Sequence, residues 1–529
     1  MLAELLSRFW GRRDDSARFA DQWVGRGLES LAEGDGGAAR AAFESALACD
    51  STHLAAMVNL GHVLREHAGE YVLAAAQYRQ ALARNAALHD VRVQLGSCLY
   101  ELGDAAAALD CFNAVLAIDP GHIDAGQHAL FALNALPDVT PTDLFIAHRQ
   151  WARRHADPLP RLPRRAPEKR QGRIRIAYLS GDFRDHATLA FLEPLLVHHD
   201  RARFDISCYS SSPVRDAATE RLGALDLQWH DVHGMDDASL AGYIRDRGVE
   251  VLIDLSGHTR DNRLLALARK PAPLQLGWLG YLRTTGLAAM DWRISDALAD
   301  PVGLGDAVHG ERVLRLPGAL WAYSPHADAP PPVPRAAEAR ISFGSFNHPA
   351  KLSAPALALW AALLLRVPQS KLVLAGVPPG PGRERIVAAF EKAGVDPVRL
   401  KFHGRLPRRE FWGLIGDIDV ALDAFPYNGG ATTCDCLWQG VPVVSLAGQH
   451  GFSRSGATVL ASAGFSEWIA GSAEEYLDKA VALAQDRTAL ALLRHDMRAR
   501  LGASVLCDLP GFTRRFEDAI AGLWDGACA

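Results

Sequence analysis

Three segments in the first third of the chain fall into register when Gly27, Gly61 and Gly96 are aligned, at spacings of 34 and 35 residues. A period of that length holds one helix-turn-helix unit, which cannot bury its apolar face alone and must stack on its neighbours. Small and aromatic residues recur at matching places: Ala39, Phe43 and Ala46, then Ala74, Tyr78 and Ala81, then Ala108 and Phe112 before Pro120. Small residues let paired helices approach, and the aromatic fills the gap between neighbouring pairs. The extra residue of the second repeat is expected in its turn, His67 to Glu70. From Ile123 the register decays, and ALFALNALPDVTPTDLFIAHRQWARRHADP reads as capping helices, giving a helical region over 20–156. A Pro- and Arg-rich stretch without apolar periodicity, 157–172, reads as a linker.

Beyond the linker the pattern changes to buried-strand runs alternating with helical segments: RIRIAYLS (173–180), RFDISCYS (203–210), VEVLIDLSG (249–257) and PLQLGWLGY (273–281). A second set follows: ISFGSFN (341–347), KLVLAG (371–376), LKFHG (400–404), VALDAF (420–425) and VPVVSLAG (441–448). This βαβ rhythm predicts parallel, doubly wound sheets in two Rossmann-like lobes, 173–335 and 336–529, with ligands at the carboxyl ends of the strands. Neither lobe carries an early GxGxxG, and GxxxxGK is absent.

Composition narrows the function classes. A chain of 529 residues, 49% hydrophobic and 22% charged, is too long for one core and reads as a globular protein of several units. Its net charge of −5 gives no reason to expect a nucleic-acid partner. Eight cysteines without CxxC or zinc-ligand spacing predict reduced thiols. No run has the length of a membrane span, and the charges at the N-terminus follow its short apolar segment, so a cytoplasmic location is expected.

The stretch Val420 to Val444 concentrates the chemistry. Its apolar run is cut by Pro426, Gly429 and Gly430 permit a tight turn, and Thr432 and Thr433 open a helical segment closed by Gly440 and Pro442. Free backbone amides, the positive end of a helix dipole and two hydroxyls suit a phosphate or diphosphate, whereas the plain alternative is N-capping by threonine. At other strand ends lie Asp182 and His186 (SGDFRDH), Asp254 and His258 (DLSGHTRDN), Lys351 (FGSFNHPAKL) and Arg454. Together with the threonines, Lys351 and Arg454 would surround an anion with charge and donors. Asp417 and Asp419 form a DxD-like pair at the amino end of the 420–425 strand, the wrong end for a ligand, and read as structural.

FGSFNHPAKLS, DAFPYNGGATTCDCLWQGVPVV, SGHTRDNRLLALARKPAPLQLGWLGY and SGDFRDH resemble motifs of the SPINDLY/O-GlcNAc transferase family, and the resemblance runs from Asp21 to about Trp524. It implies a tetratricopeptide-repeat array followed by an α/β GT-B fold, and a protein O-glycosyltransferase that moves a sugar from a nucleotide sugar to Ser/Thr. It further implies inversion at the anomeric carbon. By similarity Lys351 contacts the donor diphosphate and Thr432 and Thr433 bind its phosphates, while Asp435 and Arg454 are further donor-binding candidates. Arg408 and Phe411 fall where the family contacts the base, and His186 and His258 match positions lining the first-lobe side of the site, where Asp254 is a further catalytic candidate.

Departures leave the donor open. Where the family commonly reads GYPGT, this chain has Gly280-Tyr281-Leu282-Arg283-Thr284, which loses a turn and places a cation toward the acceptor. A threonine run of the SPINDLY branch is reduced here to Thr432 and Thr433, and the repeats carry Gly25, Asn59 and Gln94 where relatives have an asparagine ladder. UDP-GlcNAc is the leading donor, with GDP-fucose or a catalytically weak repeat scaffold as alternatives. A nucleotide diphosphate leaves with growing negative charge, which Lys351, Arg454 and the Thr432 helix would stabilise without a metal or other cofactor. His186 or Asp254 would take the acceptor proton, unless a donor phosphate oxygen or a water relay does so.

Overall fold

The computed structural model describes residues 2–163, 166, 172–333, 335, 340–449 and 451–529, residues 2–15 by backbone alone. Parts of the expected linker and of the junction between the lobes therefore lie outside the described residues. The chain divides into two compact units, the residues up to Ala132 together with Gly380–Gly382, and the remainder from Leu133 onward.

The first unit is built of helices α1 (Leu2–Ala32), α2 (Gly36–Cys49), α3 (Leu54–Glu66), α4 (Tyr71–Arg84), α5 (His89–Glu101), α6 (Ala105–Ile118) and most of α7 (Ile123–Leu133). The three register glycines meet the three repeat aromatics. A Cβ on Gly27, Gly61 or Gly96 would stand 2.5 Å from a ring carbon of Phe43, Tyr78 or Phe112. Each ring thus fills the space a side chain would need, and all three rings are buried. The α3–α4 turn takes His67 to Glu70, one residue more than the α1–α2 and α5–α6 turns. Register also shows in capping: the His53 and His122 rings accept from Ala56 and Ala125 N–H, while their Nε2 atoms lie 3.0 and 3.1 Å from Asp21 and Asp90.

The compact division comes before the expected boundary at 156. Helix α8 (Pro141–His155), expected to cap the repeats, belongs to the second unit. A capping box fixes its start: Thr140 accepts from Asp143 N–H, and the Asp143 carboxylate accepts in return from Thr140 N–H. His148 and Trp151 on its inner face are buried.

The second unit holds two wholly parallel sheets. The first joins β1 (Ile174–Ser180), β2 (Phe204–Ser210), β3 (Gln228–Asp231), β4 (Val251–Asp254), β5 (Leu274–Gly277), β6 (Trp292–Ser295) and β7 (Arg312–Arg315), in the order 3-2-1-4-5-6-7. The second joins β8 (Ser342–Ser345), β9 (Lys371–Leu374), β10 (Leu400–Phe402), β11 (Val420–Leu422), β12 (Val443–Leu446) and β13 (Ile469–Ala470), in the order 10-9-8-11-12-13. Nine expected runs become strands, most of them shorter than the apolar run that marks them. Strand order reverses between β1 and β4 and between β8 and β11, and these crevices are where ligands of such sheets bind. The C-terminal helix, Leu509–Cys528, returns to the first lobe, where buried Glu517 accepts from His199 Nδ1 and Asp200 N–H, both at 2.8 Å.

Candidate active site

The β8/β11 crevice is organised by Asp423, which the sequence reading did not single out. It stands immediately after β11, fully buried, and its carboxylate accepts from Gly429 N–H at 2.7 Å, Ser445 Oγ at 2.6 Å and Asn347 Nδ2 at 3.3 Å. These bonds turn the chain out of the strand and fold the loop over its end. Gly456 permits the approach, since a Cβ there would sit 2.2 Å from both Asp423 Oδ2 and Ser445 Oγ. The available signal was an acidic residue at a parallel strand's carboxyl end, six residues before a glycine pair.

Lys351 lies in the turn after β8. Its Nζ donates to Asn428 O at 2.9 Å and sits 3.8 Å from the centroid of the Tyr427 ring. Burial pushes its pKa below that of an ordinary lysine, and Asp423 opposes the shift; burial likewise raises the Asp423 carboxyl. One carbonyl and one ring leave ammonium protons to spare for an anion.

Helix Ala431–Trp438 begins beside them, with Gly430 as N-cap and no side-chain capping bond. The threonines therefore do not cap, and the first turn keeps its free N–H groups. Thr432 and Thr433 line one recess with Asn347, Phe346 and Asp423. A Cβ on Gly429 would come within 2.8 Å of Asn347 Oδ1 and 3.0 Å of Thr433 Oγ1, so only glycine keeps this cradle open. Asn347 Oδ1 is buried there without a hydrogen-bond partner.

The other second-lobe candidates are engaged elsewhere. Arg454 donates to the carbonyls of Gly448, at 2.7 Å, and Leu298, and its charge faces Asp296 and Asp300 of the first lobe. It fastens the lobes rather than joining Lys351. Arg408 is exposed and pairs with Asp185 and His326. Asp435 accepts from Tyr323 OH at 2.9 Å and from Trp412, and burial pushes its pKa up to about 6. Phe411 packs edge-on against Phe346, with ring centroids 5.6 Å apart. Asp419 at the amino end of β11 accepts from Ser342 N–H and Oγ and pairs with Arg335.

At the β1/β4 crevice the polar groups are sealed. Asp254 accepts from the backbone N–H of Ser256 and Gly257, and burial lifts its pKa to about 6. His258 donates from Nε2 to Thr285 O at 2.9 Å, and burial lowers its pKa to about 4, so the ring is neutral. His186 is more open: its Nδ1 lies 3.0 Å from Thr188 Oγ1 and 3.7 Å from Asp182 Oδ2.

Helix α8 pins the neighbouring loop. His148 donates from Nδ1 to Leu144 O, which leaves Nε2 to accept from Tyr281 OH at 2.6 Å. Tyr281 OH in turn accepts from Asn134 Nδ2, and Asn134 Oδ1 accepts from Arg283 Nε at 3.1 Å. Arg283 is thus buried in the protein, not presented toward an acceptor, and its carbonyl accepts from buried Arg293. Arg149 reaches Gly286 O, and Trp151 packs on His258 with centroids 4.7 Å apart.

The model of glycosyl transferase family 41 matches residues 155–321 and 334–516, and a tetratricopeptide-repeat model matches 89–122. Two plant relatives are each named probable UDP-N-acetylglucosamine–peptide N-acetylglucosaminyltransferase SPINDLY. The protein from Solanum lycopersicum is 34% identical over 78% of this chain and 45% of its own length. That from Oryza sativa is 35% identical over 79% and 46%. The chain therefore spans about half the length of these curated relatives. A solved structure, an O-GlcNAc transferase mutant from Thermobaculum terrenum, superposes with a TM-score of 0.90 at 34% identity, covering 97% of this chain and 98% of that one. The helical array followed by two parallel-sheet lobes is accordingly the tetratricopeptide-repeat and GT-B architecture. The chain belongs to glycosyl transferase family 41.

Proposed function

We propose that this chain is a protein O-glycosyltransferase that moves GlcNAc from UDP-GlcNAc to Ser/Thr hydroxyls, inverting the anomeric carbon without a metal or other cofactor. The observation that carries this reading is the cradle at the β8/β11 crevice. There a half-buried lysine with protons to spare, an uncapped helix N-terminus and two threonine hydroxyls stand around a glycine that leaves space. Such a set holds a diphosphate and neutralises the charge that grows on it as the sugar departs. The relatives' names support UDP-GlcNAc as donor. GDP-fucose stays as the second donor, because nothing in the cradle selects a base.

On the acceptor side His186 is the accessible titratable group, while Asp254 and His258 are sealed and shape the wall. The stacked helices supply a groove for a polypeptide acceptor. Eight free cysteines and the lack of any membrane-crossing helix among the described residues support a cytoplasmic place of action. The test is transfer of radiolabelled sugar from UDP-GlcNAc and from GDP-fucose to protein acceptors, with EDTA present. Transfer from UDP-GlcNAc that survives EDTA is expected. Transfer only from GDP-fucose reassigns the donor, restoration by manganese refutes the metal-free step, and no transfer from either leaves a scaffold.

A further inference from the structure

Lys351 touches two groups, and both rest on one residue outside the motifs discussed above. The Asn428 carbonyl and the Tyr427 ring face the ammonium. Asn428 N–H donates to Phe452 O at 2.9 Å, and the Tyr427 ring packs on the Phe452 ring with centroids 4.3 Å apart. Phe452 is 2% exposed, so ring and carbonyl are both committed to the interior.

The far side of Phe452 meets the first lobe. Its ring stands edge-on to Tyr281, with centroids 5.4 Å apart and planes at 80°. Beside it Gly451 approaches Leu282 so closely that a Cβ would lie 2.4 Å from the Leu282 carbonyl oxygen. Tyr281 is itself held by His148 and Asn134. A continuous packed row therefore runs from helix α8 through Tyr281, Phe452 and Tyr427 to the Lys351 ammonium.

We propose that Phe452 is a positioning residue for the transfer reaction: it seats both partners of Lys351 and fixes that seat against Tyr281 of the opposite lobe. The consequence for catalysis rests on the transferase reading; the seat itself does not. Edge and face contacts between aromatic rings have preferred geometries that an aliphatic side chain cannot reproduce. Phe452→Leu keeps apolar bulk but frees Tyr427 and loosens the loop whose carbonyl holds Nζ. A displacement of about 1 Å at a charge-stabilising group can cost on the order of a hundredfold in rate.

The experiment pairs two readings on the full chain. One is kcat for sugar transfer against donor Kd by calorimetry. The other is the pH dependence of trace acetylation of Lys351, read by mass spectrometry. For Phe452→Leu we expect kcat to fall between about tenfold and a hundredfold. Donor Kd should change less than about threefold, because the threonine helix is untouched. Lys351 should titrate closer to an ordinary lysine as water reaches it. Phe452→Met serves if the leucine variant does not fold. Wild-type kcat, or a lower kcat with unchanged Lys351 titration, would overturn the proposal. An inactive wild type whose Lys351 titration still responds to Phe452→Leu would defeat the transferase reading and leave the seat standing.

Discussion

The two crevices of the α/β unit have the same topology and opposite finish. At β1/β4 the named groups are held inside the protein, Asp254 by two loop amides, Tyr281 by His148 and Asn134, and His258 Nε2 by Thr285, although His258 Nδ1 and Arg283 Nη2 are buried without a hydrogen-bond partner. At β8/β11 the groups that could meet a ligand keep capacity to spare, namely the Lys351 ammonium, the uncapped amides after Gly430 and the threonine hydroxyls. Satisfied buried networks rigidify, whereas open donors around a space bind. The first crevice is thus a wall and the second a cradle, and substitutions in the two should fail differently.

The sharpest separation is expected at Lys351. Lys351→Met keeps much of the side-chain stem and loses only the charge, so kcat should fall by about two to three orders of magnitude. Donor affinity should stay within about threefold, measured by calorimetry beside single-turnover rates. Burial depresses the Lys351 pKa, so the charge proposed to meet the leaving group is present below that value and lost as pH rises through it. Wild-type kcat should therefore decline at lower pH than an exposed lysine would dictate. An unchanged kcat in Lys351→Met would make both crevices walls.

In the wall, titration should register in stability. His258 is held near 4, below its unfolded value, so it contributes stability above about 6.5 that is lost as pH falls toward 4. Asp254 has the opposite sign: held near 6, it contributes below its unfolded pKa of 3.8 and loses that as pH rises through 6. The two offset one another across the same window. Asp254→Asn removes one arm, and its stability relative to wild type should fall by about 2 kcal/mol between pH 7 and pH 4, read by urea denaturation. A constant difference across that range would mean Asp254 is not sealed.

A smaller effect belongs to Tyr281→Phe, which deletes one hydroxyl and leaves His148 Nε2 and Asn134 Nδ2 without it. Stability should drop by about 1–3 kcal/mol, with donor affinity unchanged. Weakened donor binding in this variant would show that the hydroxyl, and not only the ring packed on Phe452, bears on the cradle.

These differences explain what could be read from sequence. The glycine and aromatic repeat register was visible because Gly61 and Tyr78, and their counterparts, must touch. Strands β3, β6, β7 and β13 were missed for a different reason. Gln228–Asp231 is a polar edge, Trp292–Ser295 and Arg312–Arg315 carry arginines, and Ile469–Ala470 spans two residues, so none shows an apolar run. Lys351 and the threonines stood out as polar residues at strand ends. Asp423 did not, because its role lies in bonds to Gly429, Ser445 and Asn347, which are distant or unremarkable in sequence. In sequence Arg283 is a cation in the acceptor loop, Arg408 a residue at the base-contact position and Arg454 a cation near a strand end, and folding engages each with a partner it brings near: Asn134, Asp185 and Leu298. A charge in a sequence reveals its presence, not its partner.

The central claim is that the threonine helix and its glycine cradle hold a nucleotide diphosphate. Calorimetric titration of UDP-GlcNAc into wild type and into the Thr432→Val/Thr433→Val double variant tests it most directly. Hydrogen bonds to charged groups contribute about 1.5–3 kcal/mol each, so the double variant should bind at least about tenfold more weakly while unfolding at a similar temperature. Equal affinity in the two proteins, or no binding of the nucleotide sugar by wild type, would contradict the account.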